Sequence, residues 1–284
     1  MDESTILITG SNGQLGKALV EYYPAALATD VEKLDITDNK SVESYDWANI
    51  NTIINAAAYT DVDGAETPKG RVAAWKVNSQ GAANLSKVAI EHNLLLVHIS
   101  TEYVFDGAKD LYTEDEPPCP LSVYGASKAA GDFAVEFVPK HYVIRTSWLI
   151  GEGKNFVRTM IELGNKGINP EVVSDQIGRL TFAGELVKAI DHLLIKRAPF
   201  GVYNVSNSGK PVSWAEIARM IFKETKQNVK VSNTTTTEYL AKKTVVASRP
   251  MNSTLDLSKI ESTGFKPTAW EKSLRDYIKA EQVK

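Results

Sequence analysis

The sequence predicts an α/β fold, a doubly wound parallel sheet with a smaller, mostly C-terminal second region, on three observations. Short β-rich apolar runs alternate with helical patterns through the first half of the chain, which is the pattern of βαβ units. The runs at 53–57 and 94–99 are apolar stretches and do not alternate, as in strands covered on both faces. A glycine-rich turn, Gly10-Ser11-Asn12-Gly13-Gln14-Leu15-Gly16, follows the first run and opens the first helical pattern.

Strands are expected at Thr5 to Thr9, Ala26 to Thr29, Thr52 to Ala57, Leu94 to Ser100 and Tyr142 to Arg145. Helices are expected between them at Gln14 to Tyr23, stopped by Pro24, at about Lys69 to His92, and at about Gly125 to Phe137. Beyond residue 146 the pattern loosens, with helices at Phe156 to Lys166, Phe182 to Lys196, Ser213 to Glu224 and Trp270 to Glu281. The polar run at 232–237 reads as a loop or helix entry. A soft boundary near residue 150 gives a dinucleotide-binding domain at 1–150 and a substrate-binding region at 151–284. No Gly/Ser-rich linker separates them, so the second region is expected to pack against the sheet, with parts returning to it.

Composition narrows the function classes. A length of 284 residues implies one or two domains, and 43% hydrophobic with 24% charged residues excludes a disordered chain. Lys and Arg number 32 against 35 Asp and Glu, with no dense basic cluster, which argues against nucleic acid or an anionic membrane as partner. The longest apolar stretches are strand-sized, far short of the roughly 20 residues that span a bilayer. The acidic start, Met1-Asp2-Glu3-Ser4, lacks the features of a secretory signal, and the single Cys119 forms no internal disulfide. Both fit a reducing cytoplasm.

The glycine turn has the composition of a phosphate cradle. Glycines permit the tight turn and close approach of backbone to a pyrophosphate, and the helix start attracts its charge. Gly10, Asn12, Gly13, Gln14 and Leu15 are therefore candidate contacts of a dinucleotide, in a Rossmann-type arrangement. Asp30 stands 20 residues after Gly10, at the end of the second strand, where a carboxylate binds ribose hydroxyls. Ala57, Ala58 and Tyr59 end the third strand, where small residues let a cofactor lie against its edge. No metal is expected: Asp61, Asp63 and Glu66 read as a solvated helix entry, and His92, His98, His141 and His192 are scattered without ligand spacing. His98, inside an apolar strand, reads as a core histidine.

The catalytic candidate is Tyr124 with Lys128, four residues apart on one helix face. A free phenol has a pKa of about 10, so a neighbouring ammonium is what brings it into proton exchange near neutrality. A second Tyr-x-x-x-Lys, Tyr239 and Lys243, follows a polar loop and has no such setting. Tyr124 follows a strand that ends in Ser100-Thr101, at the sheet edge where α/β folds bind ligands.

With these residues in hand, the sequence resembles the extended short-chain dehydrogenase/reductases, and within them the dTDP-4-dehydrorhamnose reductase family. The resemblance rests on Gly10 to Gly16, Leu34 to Asp38, Ala57 to Thr60 with Val62-Asp63, Ser100 to Gly107, and Tyr124 with Lys128. It continues through Arg145 to Trp148, Asn155-Phe156, Asp175 to Gly178 and Arg249 to Ser253. Two positions depart from the family pattern: Glu102 stands where aspartate is usual, and Leu180 where proline is usual. The resemblance implies reduction of the 4-keto group of a dTDP-linked 4-keto-6-deoxy sugar to give dTDP-L-rhamnose, with NADPH or NADH as hydride donor. Tyr124 would supply the proton, Lys128 would hold the nicotinamide ribose and lower the phenol's pKa, and Thr101 would hydrogen-bond the reacting oxygen. It adds Asp35 and Ile36 to the cofactor contacts and Glu102, Tyr103 and Trp148 to the sugar pocket. Asn155, Gln176 and Arg249 are assigned to the nucleotide end. Asp30 favours NADH and Lys17 and Lys33 offset it, so both coenzymes are expected to serve. The oligomeric state stays open, a homodimer being one option. So do a related epimerase or dehydratase and a non-catalytic regulatory subunit of the same fold, such as that of methionine adenosyltransferase.

Overall fold

The computed structural model describes residues 2–242 and 244–283. Six strands, β1 (Ile6–Thr9), β2 (Leu27–Thr29), β3 (Thr52–Asn55), β4 (Leu95–Thr101), β5 (His141–Thr146) and β6 (Gly201–Asn204), form one sheet in the order β6-β5-β4-β3-β1-β2. Every pairing in it is parallel. The apolar runs follow from its two covered faces. Ile6, Ile8, Ile54, Val97 and Ile144 enter one core, while Leu7, Ile53, Leu96 and Val143 enter the other. Successive residues alternate between faces, and both faces are dry.

Helices complete the layers. On the first face lie α1 (Gln14–Tyr22) and a later helix at Ala183–Lys196, whose Leu186, Ile190 and Leu193 join Leu15 and Leu19 in that core. On the second face are α2 (Asn39–Ser44) and a long helical stretch contributing Leu85, Val88 and Ala89. That stretch comprises α3 (Pro68–Ala74), a π segment (Trp75–Gly81) and α4 (Ala82–Glu91). Beside it runs α5 (Val123–Glu136), whose first turn is capped by Ser122 accepting from the Gly125 amide.

Four local features differ from the sequence reading, each for a physical reason. Strand β3 stops at Asn55 and does not reach Ala57, because the Asn55 side-chain Oδ1 accepts from Thr9 Oγ1 (2.7 Å) and the Ala57 amide (3.2 Å), turning the chain away. The helix expected at 69–92 is broken by the π segment, which buries Asn78 against the neighbouring elements. Strand β6 was not among the five expected strands; its Tyr203 packs into the first core beside Tyr142. The polar run at 232–237 divides into a short strand, Ser232–Thr234, paired with Glu171–Val173, and a helix whose capping box joins Thr235 and Glu238.

After β5 the chain builds a third core. Helices α6 (Phe156–Asn165) and α8 (Trp214–Glu224) and the C-terminal helix Trp270–Val283 enclose it, while α7 (Ala183–Lys196) is the helix already placed on the first face. Val157, Met160, Leu180, Ile217, Ile221 and Leu274 fill it. The region from residue 151 onward thus contributes β6, α7, Leu257 and Ile260 to the sheet layers, Leu255 to a small cluster with Phe105 and Tyr112, and much of the rest to this core. No helix among the described residues is long and apolar enough to cross a membrane.

A close approach between α5 and the π segment gives a test. A Cβ on Gly131 of α5 would stand 2.2 Å from the Asn78 carbonyl oxygen, whereas one on Gly184 of α7 meets nothing within 4 Å. Gly131→Ala should destabilise the protein on balance, since overpacking costs roughly 1–3 kcal/mol and helix propensity returns only about 0.5–1. Gly184→Ala should be neutral to stabilising, and urea unfolding midpoints at constant slope would show both.

Candidate active site

Three cavities run side by side over the carboxyl ends of the strands. One of about 330 Å³ lies over the crossing of β1 and β2 and is lined by Gly10, Gly13, Asp30, Asp35, Ile36, Ala57 and Ala58. A central one of about 630 Å³ shares Gly13, Ala56 and Ala58 with it and reaches Thr101, Glu102, Tyr124 and Lys128. A third, of about 350 Å³, shares Tyr103, Trp148 and Trp214 with the central one and ends at Gln176, Arg249 and Ser253. Strand order reverses between β1 and β3, so the first two cavities occupy the topological switch point at which open α/β sheets take ligands.

The glycine turn fits an anion at this place. Gly10 has φ +67°, and a Cβ there would lie 2.5 Å from the Ala57 amide nitrogen, so only glycine lets β1 and β3 approach. Gly13 caps α1 without a side-chain bond, leaving the helix start to the cavity. Asp30 accepts from the Asn12 amide (3.0 Å) and the Val31 amide (2.8 Å), tying the end of β2 to the turn. The Gln14 side chain accepts from the Gly151 amide (2.9 Å), joining the turn to the second half of the chain. Asp35 accepts from Thr37, and buried Ile36 packs under Gly81. Tyr59 is the exception among the cofactor candidates. Its backbone is clamped by Asn78, Oδ1 accepting from its amide (2.8 Å) and Nδ2 donating to its carbonyl (3.1 Å), and its hydroxyl lies against Gly64 and Gly70. Its ring belongs to packing and does not line the cofactor cavity.

The reactive centre is built from α5 and the end of β4. Lys128 is 2% exposed, and its ammonium donates to the Ile99 carbonyl at 2.6 Å. Burial pushes its pKa down to about 8, against an upward pull from Asp132. Thr101 Oγ1 donates to Glu102 (2.8 Å) and accepts from the Tyr103 amide (3.2 Å). The Tyr124 phenol packs edge-on to Tyr103 at 5.4 Å. Burial raises the pKa of Tyr124, the charge on Glu102 raises it further, and the Thr101 hydroxyl lowers it. The Lys128 ammonium donates into β4 while its side chain lines the same cavity as Tyr124, and the Thr101 hydroxyl is one group that lowers the phenol's pKa.

Of the residues assigned to the far end, Trp148 is stacked on Trp214 (3.8 Å between centroids, 18° between planes), with its own backbone at φ +44°. Gln176 lines the third cavity and donates to Thr236 Oγ1 at 3.1 Å. Arg249 lines it too, paired with Asp63 at 2.8 Å. Asn155 is a correction: its amide nitrogen donates to Gly151, Gly153 and Tyr277, and its oxygen caps α6 by accepting from the Arg158 amide. Every polar atom of that side chain is used in holding the fold. The Lys243 of the second Tyr-x-x-x-Lys lies outside the described residues.

Two residues at the site escaped the sequence reading. Asn78, besides clamping Tyr59, donates to Ser127 Oγ (3.0 Å) and so joins the third strand's loop to α5. Only a break in helical periodicity at 75–81 would have signalled it. Trp214 at the start of an amphipathic helix carries no motif and is found only by its stacking.

Parallel sheet, glycine cradle and the Tyr124/Lys128 pair together define an oxidoreductase of the Rossmann type. The family model described as the RmlD substrate binding domain matches residues 4–283. A dTDP-4-dehydrorhamnose reductase of Aggregatibacter actinomycetemcomitans is 40% identical, over 95% of this chain and 97% of that protein. A crystal structure of a dTDP-4-dehydrorhamnose reductase from Clostridium acetobutylicum superposes with TM-score 0.91 at 37% identity, over 98% of this chain and 99% of that one. One from Bacillus anthracis in complex with NADP gives 0.89 at 36%, over 97% and 98%. The chain belongs to the dTDP-4-dehydrorhamnose reductase family.

The reassignment of Asn155 is open to test. Asn155→Ala should cost about 1–2 kcal/mol of stability through the lost cap, with the Michaelis constant for the sugar nucleotide nearly unchanged below the melting range. A large rise in that constant at unchanged stability would return Asn155 to the substrate.

Proposed function

We propose that the protein catalyses the NAD(P)H-dependent reduction of the 4-keto group of dTDP-4-dehydrorhamnose to dTDP-L-rhamnose, the final step of dTDP-rhamnose biosynthesis, in the cytoplasm. One observation carries the reading. Thr101, Tyr124 and Lys128 converge on a central cavity that opens on one side to a glycine-lined dinucleotide cradle and on the other to an aromatic cavity. Residues 1–150 would hold the dinucleotide, and most of 151–284 the sugar nucleotide.

The cradle fits a dinucleotide: Gly10, Asn12, Gly13, Gln14 and Leu15 would hold the pyrophosphate, and Asp30 the adenosine ribose. The bound nicotinamide supplies the hydride. The chain's own residues do the rest. Tyr124 gives its phenolic proton to the oxygen that develops negative charge, and Thr101 hydrogen-bonds that oxygen. Lys128 holds the nicotinamide ribose. Trp148, Tyr103 and Glu102 shape the sugar pocket, while Gln176 and Arg249, a guanidinium suited to a diphosphate, face the nucleotide.

Two measurements test this. Loss of coenzyme absorbance on mixing with dTDP-4-dehydrorhamnose should occur with the wild type, and Tyr124→Phe should retain less than about a tenth of turnover, a loss above about 1.4 kcal/mol. Its coenzyme affinity should be unchanged, because the proton is needed only in the transition state. Both coenzymes should support turnover within about a hundredfold in specificity constant, roughly 2.7 kcal/mol. Asp30→Ala should weaken both by freeing the Asn12 amide and shift their ratio towards NADPH by removing a like charge. An unchanged ratio would mean that Asp30 does not face the ribose.

A further inference from the structure

Glu102 is a carboxylate in a place where the reaction so far has no use for a negative charge. It is 3% exposed, yet it borders the central cavity beside Thr101, Tyr103 and Tyr124. Its Oε2 receives the Thr101 hydroxyl at 2.8 Å, and the Ser253 side chain and the Trp148 backbone amide complete its partners. Thr101 Oγ1 also accepts the Tyr103 amide and touches the Tyr124 phenol. A threonine hydroxyl owns one proton. Given to Glu102, that proton does not point at Tyr124 or at an oxygen held beside it.

We infer that Glu102 is a positioning residue that directs the Thr101 proton. Protonated, it donates to Thr101 Oγ1 and frees the hydroxyl to face the reacting oxygen; ionised, it captures the hydroxyl. The inference deepens the reductase reading and rests on it. A second effect has the same direction: the charge on Glu102 raises the pKa of Tyr124, so neutralising Glu102 makes the phenol a readier acid.

The carboxyl is poised to switch. Burial pushes it up to about 7, and the hydrogen bonds from Thr101, its own backbone, Ser253 and Trp148 only partly offset this. Around it stand the phenols of Tyr103 and Tyr124 and, beyond Tyr103, Arg249 paired with Asp63. Behind Tyr124 lie Lys128 and Asp132. The reduction-competent form is the protonated one. Turnover is therefore full below the folded pKa and is lost as pH rises through it.

The test is turnover of dTDP-4-dehydrorhamnose at saturating NADPH between about pH 6 and pH 8.5, for the wild type, Glu102→Gln and Glu102→Asp. The wild type should fall roughly tenfold per pH unit once above about pH 7. Glu102→Gln, which is neutral throughout, should stay level within about twofold over the same range, and Glu102→Asp should regain a falling limb. A falling limb in Glu102→Gln with the wild-type midpoint would overturn the inference while leaving the reductase standing. Infrared difference titration of the wild type supplies a second readout: a protonated-carboxyl stretch present at about pH 6 and gone by about pH 8.5 supports the assignment. Its absence at the lower pH overturns it even if the Gln variant does not fold. No turnover by wild type with either coenzyme would instead overturn the reading on which the inference rests.

Discussion

A cation buried beneath the reaction centre is the constraint around which this molecule is arranged. Ammonium groups lose several kcal/mol on leaving water unless partners replace the solvent, and Lys128 is almost wholly buried. Its partners come from two elements: the Ile99 carbonyl at 2.6 Å on β4 and the charge of Asp132 one turn on along α5. Asp132 is held in turn by Ser100 (2.7 Å) and Arg145 (3.5 Å), and Arg145 donates to the Glu114 carbonyl at 3.0 Å. The Glu114 carboxylate accepts from the Asn204 amide at 2.9 Å. One buried polar chain therefore runs from α5 through β4 and β5 to β6. This gives the return of the chain to the sheet at 201–204 a chemical role beyond packing.

The same network fixes a tautomer. Thr9 Oγ1 and the Ala57 amide both donate to Asn55 Oδ1, so Asn55 Nδ2 must be the donor to His98 Nδ1 at 3.0 Å. Neutral His98 then carries its proton on Nε2, on the side of Asp132 Oδ1 at 3.8 Å, and offers the Lys128 ammonium no acceptor. Burial first, and Lys128 second, hold the imidazole far below its ordinary pKa, so the ring stays neutral beside the cations of Lys128 and Arg145. A phenol beside such a site is not acidified for free. Its burial and the neighbouring Glu102 oppose ionisation, and the hydroxyl of Thr101 offsets them only in part.

The fold was legible in the sequence where one periodicity governed a segment. The apolar runs at 53–57 and 94–99 and the amphipathic helices carried their own signal, because a doubly covered strand and a one-faced helix leave different patterns. What failed did so for lack of a local signal. Strand β6 has four residues, and its pairing is set by Arg145 and Glu114, far away in sequence. The π segment depends on Asn78 reaching Tyr59 and Ser127, contacts that exist only after two helices have packed. At the candidate site, Thr101, Tyr124 and Lys128 share a short stretch of sheet edge and helix start and line one cavity, so their grouping was legible in the sequence. Asn155 looked like a ligand residue because an N-cap and a binding asparagine share a composition, and only its four hydrogen bonds distinguish them.

The sugar end is anchored to this network through backbone strain. Trp148 follows β5 directly and sits at φ +44°, a conformation that non-glycine residues adopt only when their surroundings over-determine it. Trp214 stacks on one face of its ring, and Gly178 passes so close that a Cβ would stand 2.9 Å from it. Three residues earlier, on β5, Arg145 is locked into the buried chain. The strand that holds the charge balance under Lys128 therefore also aims the indole that separates the central cavity from the aromatic one. A shift of β5 would move both together. The Trp148 amide favours the charge of Glu102, which accepts from Thr101, so the aromatic wall between the cavities and the Thr101 hydroxyl are set by neighbouring pieces of one backbone.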